Sequence, residues 1–408
     1  MKNEFQRCKK LVAVISAGLS LLATAPVLAQ SDTEETGHDH DRHGADHDHH
    51  VLEEILVTAT PLQRDVVEMS QSATVLKGDA LNRELSNNVG DTLARLPGLS
   101  NASVGQNIGR PAIRGLQGVR IGVLNDNMTS SDASALSQDH AVPTEPFLAD
   151  QVEVLRGPAT LIYGSGSIGG VVNMVTNTIP REVPEEGMSA RALIQGDSAA
   201  DQRFAAGRIN LGTGNFAFHA NAFYRRSDDY EIPGGADLYP DADECHDEDD
   251  DEHEEESSGV LENSFLDNEG GAVGASWIGD RWTAGVSFTS YNSDYGIPGA
   301  HAHEHEEEEH DEAHAVYEED EQEEEALVSV GLENRRIDGL LLGQNPFPGF
   351  NQFKLNLTRT EYTHTEFEGD EIGTVFESDS MDGRLELRHD PWGAWEGVFG
   401  GQYTDREF

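Results

Sequence analysis

The chain has 408 residues and a formal net charge of −49, with 76 acidic against 27 basic side chains. So strong a negative field excludes nucleic acid as a partner and favours cations. With only two cysteines, Cys8 and Cys245, no disulfide framework holds the chain together.

Residues 1–29 read as a secretory signal peptide. Lys2, Arg7, Lys9 and Lys10 precede an apolar run from Leu11 to Ala25, and Val27-Leu28-Ala29 forms a small-residue cleavage site. Cys8 leaves with this leader, and Cys245 alone cannot close an intramolecular disulfide. No later stretch reaches the roughly 18 to 20 continuous apolar residues that a spanning helix needs, so entry into a bilayer would be as a barrel. Residues 30–52 form a His/Asp-rich tail with too little apolar surface to order itself. In it His38, His40, His43, His47, His49 and His50 stand among carboxylates, a composition that wraps a divalent cation.

Residues 53–60, Glu53-Glu54-Ile55-Leu56-Val57-Thr58-Ala59-Thr60, are β-prone and isolated, suited to adding one strand to a partner's sheet. From Pro61 to Pro180 the composition is that of a compact α/β unit. Val89, Leu93 and Leu96 recur at helical spacing and Pro97-Gly98 ends that helix. Ile113 to Leu116 and Val119 to Leu124 read as strands, and Asn125 to Pro146 as a polar connection containing Asp139-His140. Gln151 to Thr176 reads as strand, tight bend, strand, with Val152 and Val154 alternating with Glu153 before Gly157-Pro158. Gly164 to Gly169 also matches G-x-G-x-x-G, but the β-forming run Val171 to Val175 follows where a dinucleotide site requires a helix.

Beyond residue 186 the pattern changes to period two. Phe216, Phe218, Ala220, Ala222 and Tyr224 share one face; Ala217, His219, Asn221 and Arg225 lie on the other. Long alternating strands with aromatic ends are what a transmembrane β-barrel requires. Nine are predicted, near 188–196, 201–211, 215–226, 270–278, 281–291, 326–335, 350–363, 381–389 and 394–404. The connections at 212–214, 279–280 and 390–393 are tight, whereas 227–269, 292–325 and 364–380 are long and fall on one side by parity. The connection from Ile337 to Gly349 is longish for the tight side.

Arg156-Gly157-Pro158, Tyr163-Gly164 and Gly169-Gly170-Val171-Val172-Asn173-Met174-Val175-Thr176, taken in order, resemble the end of the plug domain of TonB-dependent outer-membrane receptors. The resemblance covers about residues 50 to 180. It implies an α+β plug domain over 61–185, then antiparallel transmembrane β-barrel strands over 186–408. The family's barrel has 22 strands, so nine read as an incomplete barrel and the chain as a C-terminally truncated fragment. The segment of Glu54, Ile55, Leu56, Val57, Thr58 and Ala59 resembles the TonB box, which implies TonB, with ExbB and ExbD, as a periplasmic partner. The implied location is the outer membrane of a Gram-negative bacterium, with outer-membrane lipid around the barrel.

Two of the long loops open on an internal echo, Asp229-Tyr230-Glu231-Ile232-Pro233-Gly234 and Asp294-Tyr295-Gly296-Ile297-Pro298-Gly299. Each leads into a charge-dense run, the first holding His246 and His253, the second His301, His303, His305, His310 and His314. Acidic runs have no structural need of imidazole. Neutral histidine with carboxylate suits zinc or nickel, carboxylate alone calcium, and copper(I) calls for more Met and Cys. The loops read as collectors without a fixed tetrahedral spacing. With them, the sequence resembles the zinc-uptake (ZnuD-like) receptors of the family, which implies a tighter site at Asp139 and His140 completed by barrel residues, for which His364 and Glu366 are candidates. Zinc is then the transported ligand, with no cofactor. Copper, nickel, cobalt, haem or a metal chelate remain alternative cargoes, as does surface metal sequestration without transport. No nucleophile-base constellation or Walker motif is present, so no enzyme activity is expected.

Overall fold

A computed structural model describes residues 56–62, 64, 72–137, 139–157, 162–164, 167–235, 258–302 and 326–408. The expected leader, the histidine tail, Glu54, Ile55, Cys245, His246, His253, His303, His305, His310 and His314 lie outside the described residues.

The first unit is built on a five-stranded sheet of β1 (Ala73–Lys77), β6 (Gln151–Arg156), β7 (Gly170–Val175), β4 (Ile121–Asn125) and β5 (Met128–Thr129), in that order. β4 and β7 run parallel and the other pairs antiparallel. Two short helices, α1 (Gly78–Glu84) and α2 (Val89–Leu93), and a hairpin of β2 (Leu99–Val104) and β3 (Ile108–Ile113) complete it. Asn88 caps α2, accepting the Asp91 N–H at 2.8 Å. Leu81, Val89, Leu93, Ile113, Val152 and Met174 form its apolar core. The Gly169-Gly170 pair is needed for close approach: a Cβ on Gly170 would stand 2.6 Å from the Leu155 carbonyl oxygen, and one on Gly169 2.7 Å from Ile121.

A local expectation is corrected. Ile113 to Leu116 is a turn, because Arg114 (φ 52°) and Gly115 (φ 80°) reverse the chain after β3. β6 and β7 are antiparallel neighbours as read.

The second unit is an antiparallel sheet of nine strands: β8 (Met188–Asp197), β9 (Gln202–Thr213), β10 (Phe216–Ser227), β13 (Leu266–Ile278), β14 (Trp282–Ala302), β15 (Ala326–Phe347), β16 (Phe350–Glu368), β17 (Glu371–His389) and β18 (Val398–Glu407). All nine predicted strands are present, in sequential order with β8 and β18 at the edges. The expected 227–269 loop contains a hairpin of β11 (Tyr230–Gly235) and β12 (Ser258–Leu261). The span 364–380, expected as a long loop, is strand nearly throughout, turning at Gly369-Asp370. β15 likewise runs to Phe347, so the connection to β16 is tight. In these spans the ladder of backbone hydrogen bonds continues where alternation of side-chain polarity fades, and the ladder defines the strand.

The sheet's polarity is that of a membrane barrel. Phe216, Phe218, Val286, Phe288, Leu357 and Phe399 stand exposed on the outer face, while Ala217, His219, Arg225, Ser287, Lys354 and Arg384 are buried. The inner side grips the plug through polar contacts. Asn107 of the β2–β3 turn donates to Ser293 at 2.9 Å and accepts from Asn268 at 2.7 Å. Glu145 receives Arg225 Nη2 at 3.1 and 3.2 Å, with both side chains almost fully buried. Burial pushes the Glu145 carboxyl up and the adjacent guanidinium draws it back.

Breaking one side of a buried pair strands the other charge. Glu145→Ala is therefore expected to destabilise the protein by about 3–5 kcal/mol, measured by unfolding in detergent, and Glu145→Ala/Arg225→Leu to recover most of that loss.

Candidate metal centre

The end of the barrel fixes which residues can meet. The turns at 214–215, 279–281, 348–349 and 390–397 lie at one end of the sheet, and the 390–397 turn touches the N-terminal segment through Glu396 and Arg64 at 3.5 Å. His364 and Glu366 lie at the opposite end of β16, beside Leu332 and Val330 of β15. Two residues apart on one strand, they share a face, and that face meets the plug.

The plug brings His140 to them on a braced loop. Asp132 accepts the Ser134 N–H at 2.9 Å, while the Ser130 and Ser134 hydroxyls donate to the same carboxyl. Arg110 of β3 donates to Ser134 and to the Ile121 carbonyl at 3.3 Å, tying the loop to the plug sheet. On the barrel side Ser131 donates to Asp382 at 3.3 Å and receives Arg406 at 3.0 Å. The Ala141 N–H donates to the Tyr295 hydroxyl at 3.1 Å.

His140 and His364 are buried, 6% and 3% exposed, and Glu366 is half-buried. His140 Nε2 lies 3.5 Å from Glu366 Oε1, and His364 Nε2 lies 3.7 Å from the same oxygen. Tetrahedral bonds of about 2.0–2.2 Å to one zinc ion set ligand atoms about 3.3–3.5 Å apart, so the carboxyl oxygen stands near first-shell spacing from each nitrogen, and all three ligand atoms lie within 4.8 Å of one another. They are the one group of three metal-ligating side chains among the described residues. Phe376 stacks on His364 with ring centroids 5.1 Å apart and covers one side.

Three of the candidates read from sequence, His140, His364 and Glu366, thus converge. Asp139 lies next to them but outside the group, its carboxyl accepting from Ser137. His301 is the penultimate residue of β14, paired with Leu327.

The described part of the segment resembling a TonB box, Leu56 to Ala59, is docked. Val57 and Ala59 are fully buried, and Leu56 is exposed. The Thr58 and Ala59 N–H groups each donate to the buried Glu153 carboxyl at 2.7 Å, and Gln151 donates to the Leu56 carbonyl at 2.9 Å. Tyr163 donates to the Ala59 carbonyl; burial pushes its phenol up, which keeps the donor proton in place. Arg384 of β17 stacks 4.3 Å above the Tyr163 ring. Sequence reasoning missed this clasp because the Val152-Glu153-Val154 alternation reads as a half-exposed strand, whereas the docked segment covers the Glu153 face. A carboxyl between two valines in a plug strand was the available signal.

Residues 65–171 match the family model described as TonB-dependent Receptor Plug Domain. Over those residues the chain is similar to the plug domain of TonB-dependent receptors. Its relatives include a hemin receptor of Yersinia pestis, 29% identical over 161 residues, 38% of this chain and 22% of the relative. A ferric aerobactin receptor of Klebsiella pneumoniae is 28% identical over 218 residues, 51% of this chain and 26% of the relative. The fold matches the copper transporter OprC (TM-score 0.60, 14% identity, 78% of this chain and 42% of that one). It also matches the siderophore receptor PirA from Acinetobacter baumannii (TM-score 0.59, 15% identity, 86% and 50%). The chain therefore spans about a quarter of the length of those curated relatives and about half of those solved chains. A TonB-dependent receptor of this architecture sits in the outer membrane of a Gram-negative cell.

Glu153→Ala removes the acceptor for both docked N–H groups. It is expected to raise the accessibility of a spin label at Leu56 and the rate of proteolysis near it, with the barrel unchanged; an immobile label would show that other contacts hold the segment.

Proposed function

We propose that this receptor imports a divalent transition metal, zinc first, as the ion rather than as a chelate. The observation that carries the reading is the convergence of two imidazole nitrogens and a carboxyl oxygen at 3.5 and 3.7 Å across the plug–barrel seam. Zinc and nickel favour such a donor set; an all-oxygen shell would suit calcium, and thioether or thiolate would suit copper(I). The His140 and His364 rings lie 4.3 Å apart, which leaves no slot for a porphyrin between them. Haem, despite the name of the Yersinia relative, is therefore disfavoured as a ligand bridged by this pair.

The ion's path follows the arrangement. Histidines of the acidic loops, His246, His253 and His301 to His314, raise the local metal concentration by charge and weak ligation. Glu366 is the least buried of the three ligands and receives the ion first; His140 and His364 then replace its remaining water. His140 belongs to the plug and the other two ligands to the barrel, so displacement of the plug takes one ligand from three and lowers affinity at release. TonB, with ExbB and ExbD, supplies that displacement by pulling on Glu54 to Ala59, and the histidine tail at residues 38–50 receives the ion. The metal is the cargo and no cofactor or enzyme activity is part of the scheme.

The test is zinc binding by the receptor purified from outer membranes, with cobalt, nickel, copper and haem as competitors. His140→Ala, His364→Ala and Glu366→Ala are each expected to weaken zinc binding by at least tenfold. Because imidazoles must be unprotonated to ligate, zinc binding is expected to weaken in acid. A preference for haem, or zinc binding indifferent to all three substitutions, would overturn the reading.

A further inference from the structure

A ligating imidazole works best when its second ring nitrogen is held, because that hydrogen bond fixes the tautomer and the aim of the ring. His364 has such a partner two residues away on its own strand: its Nδ1 lies 3.2 Å from the Tyr362 hydroxyl. Both side chains are buried on the plug-facing side, Tyr362 at 1% exposure. With Nδ1 so occupied, Nε2 is the nitrogen left for a metal, and it is the one that faces Glu366.

The plug ligand is held by other means. His140 Nδ1 is buried without a hydrogen-bond partner, so nothing on the ring itself sets its direction. The restraint falls instead on the adjoining backbone, where the Ala141 N–H donates to the Tyr295 hydroxyl at 3.1 Å. Tyr295 is fully buried and belongs to the second copy of the Asp-Tyr-x-Ile-Pro-Gly echo, whereas Tyr230 of the first copy is 36% exposed. The repeated motif has thus been put to two uses, and in the second its tyrosine crosses the seam to the loop that bears a ligand.

Resting on the metal reading given above, we propose that Tyr362 and Tyr295 are positioning residues for the metal centre. Tyr362 acts through His364 and sets the barrel half of the shell. Tyr295 acts through the His140 loop and sets the plug half against it. Neither hydroxyl is itself a ligand.

Tyr→Phe variants remove one oxygen each and leave the packed rings in place. The measurements are zinc affinity of the receptor purified from outer membranes, by competition with a chromophoric chelator, and the visible spectrum of its cobalt(II) form. Tyr362→Phe is expected to weaken zinc binding roughly 10- to 100-fold, the usual effect of losing an outer-shell partner, and to alter the cobalt band shape. In a His364→Ala background the same change is expected to cost nothing further, as a residue acting through His364 requires. Tyr295→Phe is expected to speed zinc release. Heat-modifiable migration on gels reports that each variant is folded. Zinc binding abolished by His364→Ala but unchanged in affinity and cobalt spectrum by Tyr362→Phe would overturn the positioning role of Tyr362 alone, and an unchanged release rate in Tyr295→Phe that of Tyr295. No zinc binding by the unsubstituted receptor would overturn the metal reading and this inference with it.

Discussion

Hydrocarbon offers no hydrogen bonds, and that constraint shapes both faces of the nine-stranded sheet. Each backbone group in the spanning region must be paired to a neighbouring strand, and each outward side chain must tolerate lipid. Phe216, Val286 and Phe399 accordingly point out, and His219, Ser287 and Arg384 turn inward. An inward polar face left dry would be costly, because buried polar groups need partners. The plug supplies them: Asn107 meets Asn268 and Ser293, Glu145 meets Arg225, and Ser131 meets Asp382.

The candidate metal centre is a local instance of the same seam. His364 and Glu366 face inward because strand periodicity puts them there, and the plug answers with His140 where elsewhere it answers with a serine or an asparagine. What distinguishes the place is chemistry: three donors suited to a transition metal, near first-shell spacing, with Phe376 and two buried tyrosines around them. A bound ion would tie the two units together at a point neither could hold alone. At the other end of the plug, Glu153 and Tyr163 fasten the N-terminal segment, and β17 touches both places, through Asp382 to the Ser131 loop and through Arg384 to Tyr163.

Much of this was legible in the sequence. Period-two runs such as Phe216 to Tyr224 gave all nine strands, because lipid on one side and plug on the other impose a clean alternation. His140, His364 and Glu366 could be named because the resemblance to zinc-uptake receptors points to the Asp139-His140 pair and to imidazole and carboxylate on the barrel to complete it. The ends of β16 and β17 could not be placed, since beyond the hydrocarbon polar residues such as Thr365 and Glu377 are tolerated on either face while the ladder continues. The Glu153 clasp and the tyrosines were hidden for another reason. Both depend on contacts between residues about 95 or 154 apart in the chain, Thr58 with Glu153 and Ala141 with Tyr295, and no local pattern encodes such a pairing.

Anomalous scattering at the zinc edge from zinc-loaded crystals of the receptor tests the central claim most directly. The account predicts a single strong peak within bonding distance of His140 Nε2, His364 Nε2 and Glu366 Oε1. A seam that stays empty at saturating zinc, or a strong peak elsewhere in the plug or barrel, would contradict it.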